Sequence, residues 1–170
     1  NMTEQIRKVT FMGNPLTLTG REAKVGDQFP QDVQLTANNL TPFNIASEAG
    51  VKVITTVPSL DTPVCDMQVR KFNEKAANLK AKIYAVSADL PFAQARWCGA
   101  AGVKSVMTLS DHLSMALADA LGIHVKELRL LARTVFIVDA AGKIVYRQIV
   151  DEITSEPDYE AALQALAKIS

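Results

Sequence analysis

Cysteine is scarce in this chain: Cys65 and Cys98 are the only two in 170 residues. That is too few for the disulfide framework that replaces a core in small secreted domains. Two thiols leave three readings: buried bystanders, a redox pair, or metal ligands. Histidine is equally scarce, and neither His112 nor His124 stands in a Cys/His spacing typical of zinc. Both read most simply as surface or loop residues, and no metal is expected. Charge of one sign is not in excess, with 18 basic residues against 18 acidic ones. The balance gives no electrostatic reason to expect nucleic acid or an anionic membrane as partner. No apolar run approaches the roughly 20 residues that a membrane-spanning helix needs. The first ten residues are polar and lack the apolar stretch of a secretory signal, so the expected location is the cytoplasm. Internal repeats, low-complexity tracts and long linkers are missing too.

What is present is an ordinary globular composition, 48% apolar and 21% charged. The length fits one domain over residues 1–170. A surface near neutrality resists self-association poorly, which favours a homodimer. Within residues 1–20, two alternating runs around Gly13-Asn14-Pro15 predict an N-terminal β-hairpin. Residues 32–35 suggest a short strand, and the β-branched run 51–57 a buried one. A helix then carries Cys65, Val69, Phe72, Ala76 and Leu79 on one face, at steps of four and three. Further strands are expected over 82–87 and 103–109, with helices from Pro91 through Ala101 and over 113–121. Strands 134–138 and 144–149 flank Asp139-Ala140-Ala141-Gly142, a hairpin signal, and an amphipathic helix over 158–169 closes the chain. Strands alternating with helices, followed by a hairpin and a last helix, describe an α/β domain with a central mixed β-sheet flanked by helices.

The segment Pro58-Ser59-Leu60-Asp61-Thr62-Pro63-Val64-Cys65 ends a strand, crosses a proline-bracketed loop and sets a cysteine in the first turn of a helix. Unpaired N–H groups and the helix dipole favour negative charge there. The thiolate is the nucleophilic form, so the position suits a reactive thiol. Thr62, three residues earlier, is placed to aim a hydroxyl at the sulfur, while Pro58 and Pro63 stiffen the loop and limit water. On the helix pattern alone, a cysteine on an apolar face is more commonly a small core residue.

The full pattern Pro-Xaa-Xaa-Xaa-Thr-Xaa-Xaa-Cys resembles the active-site signature of peroxiredoxins. Val57 through Cys65, then Val69-Arg70-Lys71-Phe72-Asn73 and Leu131-Ala132-Arg133-Thr134-Val135-Phe136-Ile137-Val138-Asp139, with Gly142 and Tyr146 beyond, is similar to the thiol peroxidase subfamily. The likeness spans essentially the whole chain. It implies a thioredoxin-like fold and a thiol peroxidase acting on hydrogen peroxide and organic hydroperoxides. It further implies Cys65 as peroxidatic cysteine, and Cys98 as the resolving cysteine that forms an intramolecular disulfide. Thr62 is implied to contact sulfur and peroxide, Pro58 to shield the site, and Arg133 to complete the pocket. The resemblance also implies thioredoxin as reductant, a homodimer packed near the active-site loops, and no cofactor, because sulfur does the redox work.

Each residue keeps a second reading. Arg133 opens an apolar strand, where a permanent cation needs an anionic partner; a thiolate or an ordinary carboxylate meets that need. Cys98 can be an inert helix residue, and Trp97 core or interface filler. A thioredoxin-fold disulfide reductase is disfavoured, since no Cys-Xaa-Xaa-Cys pair exists. A redox sensor switched by a Cys65–Cys98 bond and a purely structural domain compete with the peroxidase reading as well. A disulfide requires Cα atoms within roughly 7 Å, and the two cysteines fall on separate predicted helices. The peroxidase reading therefore expects partial unwinding in each cycle, with lower stability around Cys98 than in the central strands.

Overall fold

The computed structural model describes residues 7–76 and 78–169. The first six residues of the expected hairpin segment lie outside them. The chain opens with β1 (Arg7–Phe11) and β2 (Asn14–Thr19), paired antiparallel with Phe11 opposite Asn14. Met12 and Gly13 both have positive φ, as a two-residue type I′ hairpin turn requires. Two short strands follow, β3 (Leu35–Thr36) and β4 (Pro42–Phe43). The strand expected over 32–35 is thus confined to its far end. β5 (Lys52–Thr56) leads into α1 (Pro63–Ala76), β6 (Lys82–Ser87) into α2 (Pro91–Ala101), and β7 (Val106–Ser110) into α3 (Ala116–Leu121). β8 (His124–Val125), β9 (Leu130–Leu131), β10 (Thr134–Val138), β11 (Ile144–Ile149) and α4 (Tyr159–Ala167) complete the order.

Seven strands form the central sheet in the order β11-β10-β5-β6-β7-β3-β4. β5, β6 and β7 are parallel, and the outer pairings are antiparallel. The expected mixed sheet is therefore present. Successive residues of a strand face opposite sides, so the sheet feeds two cores. Ile54, Val86, Leu109 and Phe136 pack with Leu117 and Leu121 of α3 and with Leu18, Val125 and Leu131 of a second, four-stranded sheet, β1-β2-β8-β9. Val53, Ile83, Val135 and Ile137 pack with Val69 and Phe72 of α1 and Ala162 and Leu166 of α4. Cys65 lies in this second core.

Two boundaries differ from the sequence pattern for local reasons. The third helix begins at Ala116 instead of residue 113, because Met115 takes a left-handed conformation (φ 55°) just before it. The Asp111 carboxylate reaches forward to accept from Leu117 N (3.1 Å) and Ala118 N (2.9 Å), satisfying donors that a helix start leaves free. Burial pushes the Asp111 carboxyl above the usual carboxylate range, and those two N–H groups partly counter it. The strand expected from residue 103 begins at Val106; the preceding turn is tied to α1, where Asn73 Oδ1 accepts from Lys104 N and Ser105 N.

Candidate active site

β5 ends at Thr56, and the chain turns through Val57 and Pro58, both buried, before α1 begins at Pro63. The loop has its own scaffold. The Asp89 carboxylate, from the segment between β6 and α2, accepts from Ser59 Oγ (2.7 Å), Leu60 N (2.8 Å) and Ser87 Oγ (2.7 Å). One part-buried carboxylate thereby fixes the approach to α1. Cys65 is the third residue of that helix, within the turn whose N–H groups have no intrahelical acceptor. It is fully buried and is not disulfide-bonded.

Arg133 immediately precedes β10 and is also buried, 1% exposed. Nε and Nη2 donate to Ile153 O (2.9 and 2.6 Å), and Nη1 donates to Gln68 Oε1 (2.9 Å). Gln68 lies three residues beyond Cys65 on the same buried face, and its Nε2 donates to Thr55 Oγ1 (2.5 Å) and Thr56 O (3.3 Å). Arg133 takes part in none of the ion pairs among the described residues. The ordinary carboxylate partner weighed from the sequence is therefore not what holds it. The guanidinium is thus fixed by neutral acceptors on two sides, and the Glu156 carboxylate, which its charge helps hold below the usual range, acts on it only at a distance.

Thr62 is placed differently from the sequence reading. Its hydroxyl donates to Ser59 O (3.0 Å), and its carbonyl accepts from Asp66 N (3.0 Å) to open α1. Among the described residues no hydrogen bond joins Thr62 to the Cys65 sulfur. The hydroxyl's first satisfied acceptor is the loop itself. Cys98 lies on α2, with Sγ 3.3 Å from Thr108 Oγ1 on β7; that hydroxyl in turn donates to Asn38 Oδ1 (3.1 Å). A cavity of about 550 Å³ opens beside Cys98 between β7 and residues 37–43. Both cysteines are thus separate free thiols on neighbouring helices. Among the described residues no group of three or more His, Cys, Asp or Glu side chains is gathered where a metal ion could be held. Nor is any described helix long and apolar enough to cross a membrane.

Sequence reasoning missed Gln68, Asp89 and the Ile153 carbonyl. Gln68 had a signal, since its spacing from Cys65 puts a polar amide on a buried stripe. Asp89 and Ile153 had none, because only the fold brings them to the site.

The Redoxin family signature matches residues 24–163. A thiol peroxidase of Bacillus subtilis (strain 168) is 52% identical over 160 residues, covering 93% of this chain and 95% of its own. The crystal structure of a peroxiredoxin-like protein from Aquifex aeolicus superposes with a TM-score of 0.91 at 40% identity, covering 96% of this chain and 98% of the other. A thiol peroxidase from Chromobacterium violaceum shares the fold at 19% identity, with a TM-score of 0.84 over 95% of each chain. On these likenesses, which span nearly its whole length, the chain belongs to the Redoxin family and, within it, to the thiol peroxidases, peroxiredoxin-type enzymes that reduce peroxides.

Proposed function

We propose that Cys65 is the peroxidatic cysteine and Cys98 the resolving one, in a cycle that reduces hydrogen peroxide and organic hydroperoxides. The Cys65 thiolate attacks the terminal peroxide oxygen. The O–O bond breaks, an S–O bond forms, and the departing oxygen leaves as water or alcohol after taking a proton. The sulfur is then a sulfenic acid. Cys98 displaces its hydroxyl as water, forming the Cys65–Cys98 disulfide. An external dithiol, thioredoxin by the family likeness, restores both thiols by exchange. The enzyme acts as a cytoplasmic homodimer.

The observation that supports this best is the buried Arg133. No carboxylate among the described residues touches it, and Gln68 ties it to the helix face that bears Cys65. A fixed cation tied to the helix face that carries the nucleophile stabilises the negative charge developing on the leaving oxygen. Thr62 assists at the loop once its hydroxyl turns from Ser59 toward the peroxide, and buried Pro58 keeps water from the sulfur.

A thioredoxin and thioredoxin reductase assay following NADPH consumption tests the cycle, with hydrogen peroxide and cumene hydroperoxide as substrates. Cys65→Ser is expected to abolish turnover. Cys98→Ser is expected to take up peroxide at Cys65 but to form no disulfide and show no sustained thioredoxin-dependent turnover. Wild-type turnover in Cys65→Ser would overturn the assignment.

A further inference from the structure

The seam between α1 and α2 is closed by the residues beside the two cysteines. Asp66, Arg70 and Asn73 recur at four and three residues, one stripe of α1. The Asp66 carboxylate accepts from Trp97 Nε1 (2.6 Å) and from Arg70 Nε (3.0 Å). Arg70 also lies over the Trp97 ring, 5.6 Å from its centroid, and its Nη1 donates to Ala101 O (3.4 Å) at the end of α2. One carboxylate, one guanidinium and one indole thus join the helices, next to Cys65 on one side and Cys98 on the other.

The rest of α2 is weakly held. Only Pro91 and Gln94 are fully buried in it. Gln94 donates to Ser87 Oγ (3.0 Å) and Leu109 O (2.8 Å), but its Oε1 is buried with no hydrogen-bond partner. An orphaned buried acceptor costs free energy that unwinding the helix returns. Asn73 meanwhile anchors the turn after α2 through Lys104 N and Ser105 N, so the helix can loosen without releasing its far end.

We propose that Asp66, Arg70 and Trp97 form a latch that holds α2 in its helical place and sets the rate at which Cys98 reaches oxidised Cys65. The proposal rests on the assignment of Cys65 and Cys98 made above. While the latch is closed, Trp97 faces α1 and Cys98, about 100° further round the helix, faces Thr108. Carrying Cys98 to Cys65 moves the adjacent Trp97, and a hydrogen bond of this kind survives displacements of only a few tenths of an ångström. The disulfide step balances internally. The S–O bond of the sulfenic acid and the Cys98 S–H bond break, the S–S bond forms, and water leaves; one sulfur is reduced and the other oxidised. Its competitor is a second peroxide, which oxidises the waiting sulfenic acid to sulfinic acid and departs as water or alcohol. The latch therefore makes these three residues positioning residues that apportion sulfenic acid between the two fates.

Trp97→Phe removes the N–H donor and keeps an aromatic ring. The reduced full-length protein is mixed with one equivalent of hydrogen peroxide, quenched at intervals, and its thiols, sulfenic acid and disulfide are counted by alkylation and mass spectrometry. Losing one charge-assisted hydrogen bond at a partly exposed seam is expected to speed the disulfide step about three- to tenfold. The rate of peroxide loss should match wild type, and sulfinic acid formed under excess peroxide should fall. A merely structural contact predicts the opposite sign, a slower disulfide step. Asp66→Asn, which removes the charge alone, is expected to act in the same direction and serves if Trp97→Phe does not fold. Disulfide rates at or below wild type in a folded variant overturn the latch alone. A wild type that forms no Cys65–Cys98 disulfide overturns the functional assignment itself.

Discussion

Arg133 is the residue on which the site's electrostatics turn, and its position is decided by a residue with no charge. Gln68 supplies the acceptor for Nη1, and it is itself braced by the Thr55 hydroxyl and the Thr56 carbonyl of β5. Replacing it by leucine keeps the volume and removes both roles. Gln68→Leu leaves one donor of a buried guanidinium unsatisfied and takes a donor from the Thr55 hydroxyl and the Thr56 carbonyl, at a cost of about 2–3 kcal/mol, measurable as a lowered midpoint of urea unfolding. A change in midpoint within experimental error would mean that Arg133 is held by Ile153 alone. The charge itself is tested by Arg133→Gln, which is expected to lower kcat/KM for peroxide about 100-fold, the scale of losing one preorganised donor at a developing anion. Arg133→Lys is not expected to restore it. A lysine cannot reach Ile153 O and Gln68 Oε1 together with the geometry of a planar fork.

The N-terminal hairpin bears on the same arginine at the scale of elements. Thr10 N donates to Asp151 O (2.7 Å), and Ile153 N donates to Thr10 O (2.8 Å), so β1 clamps the segment whose carbonyl holds Arg133. Glu152 reinforces the clamp, accepting from Thr154 Oγ1 (2.7 Å) and N (2.9 Å), Gly13 N (2.9 Å) and Thr10 Oγ1 (2.9 Å). Those donors, Thr154 foremost, pull the Glu152 carboxyl down to about 2. An unfolded glutamate titrates near 4.3. A depressed folded value stabilises the fold above the unfolded one, and that contribution is lost as pH falls from about 4.3 through about 2. Urea midpoints of wild type and Glu152→Gln should therefore differ at pH 5 and converge by pH 2; a constant gap would place the effect elsewhere. α2 is the opposite kind of element, with little fully buried surface and an orphaned amide oxygen. Its amides are expected to exchange with solvent faster than those of β5, β6 and β10, and uniform protection in reduced and oxidised protein would contradict the unwinding step. Elements with a strong local signal of their own, α2 (Pro91–Ala101) with proline in its first turn and β10 (Thr134–Val138) and β11 (Ile144–Ile149) about a hairpin turn, were legible in the sequence residue for residue. β8 and β9 were not. Two residues carry no period, and His124–Val125 is a strand only because β2 lies alongside it, with Leu18 opposite Val125. The site followed the same division: Cys65 and Arg133 were marked by motif, whereas the Asp89 scaffold and the Ile153 carbonyl depend on contacts across the fold.

At the scale of the whole molecule, the site lies where open α/β sheets place their ligands, beyond the carboxyl ends of parallel strands. The Cys65 loop leaves β5, the Asp89 turn leaves β6, and the turn after Ser110 leaves β7; Ser110 Oγ donates to Asp89 O (2.5 Å), which binds two of the three together. This rim also carries apolar side chains that the chain does not cover. Leu113 is 75% exposed, Phe92 67% and Leu90 53%. Single exposed apolar residues are ordinary, but three large ones on the turns that follow β6 and β7 suit burial against another surface. With no excess of like charge to oppose association, the proposed homodimer is expected to pack here, where one copy would help exclude water from the other's site. Sedimentation velocity is expected to give a dimer for wild type. Phe92→Glu combined with Leu113→Glu is expected to give a folded monomer, because each buried carboxylate at the contact would lack a partner. A dimer that survives both substitutions would have its interface on another face. A wild type that sediments as a monomer would leave the rim to the reducing partner, whose access to the Cys65–Cys98 disulfide runs over the same turns.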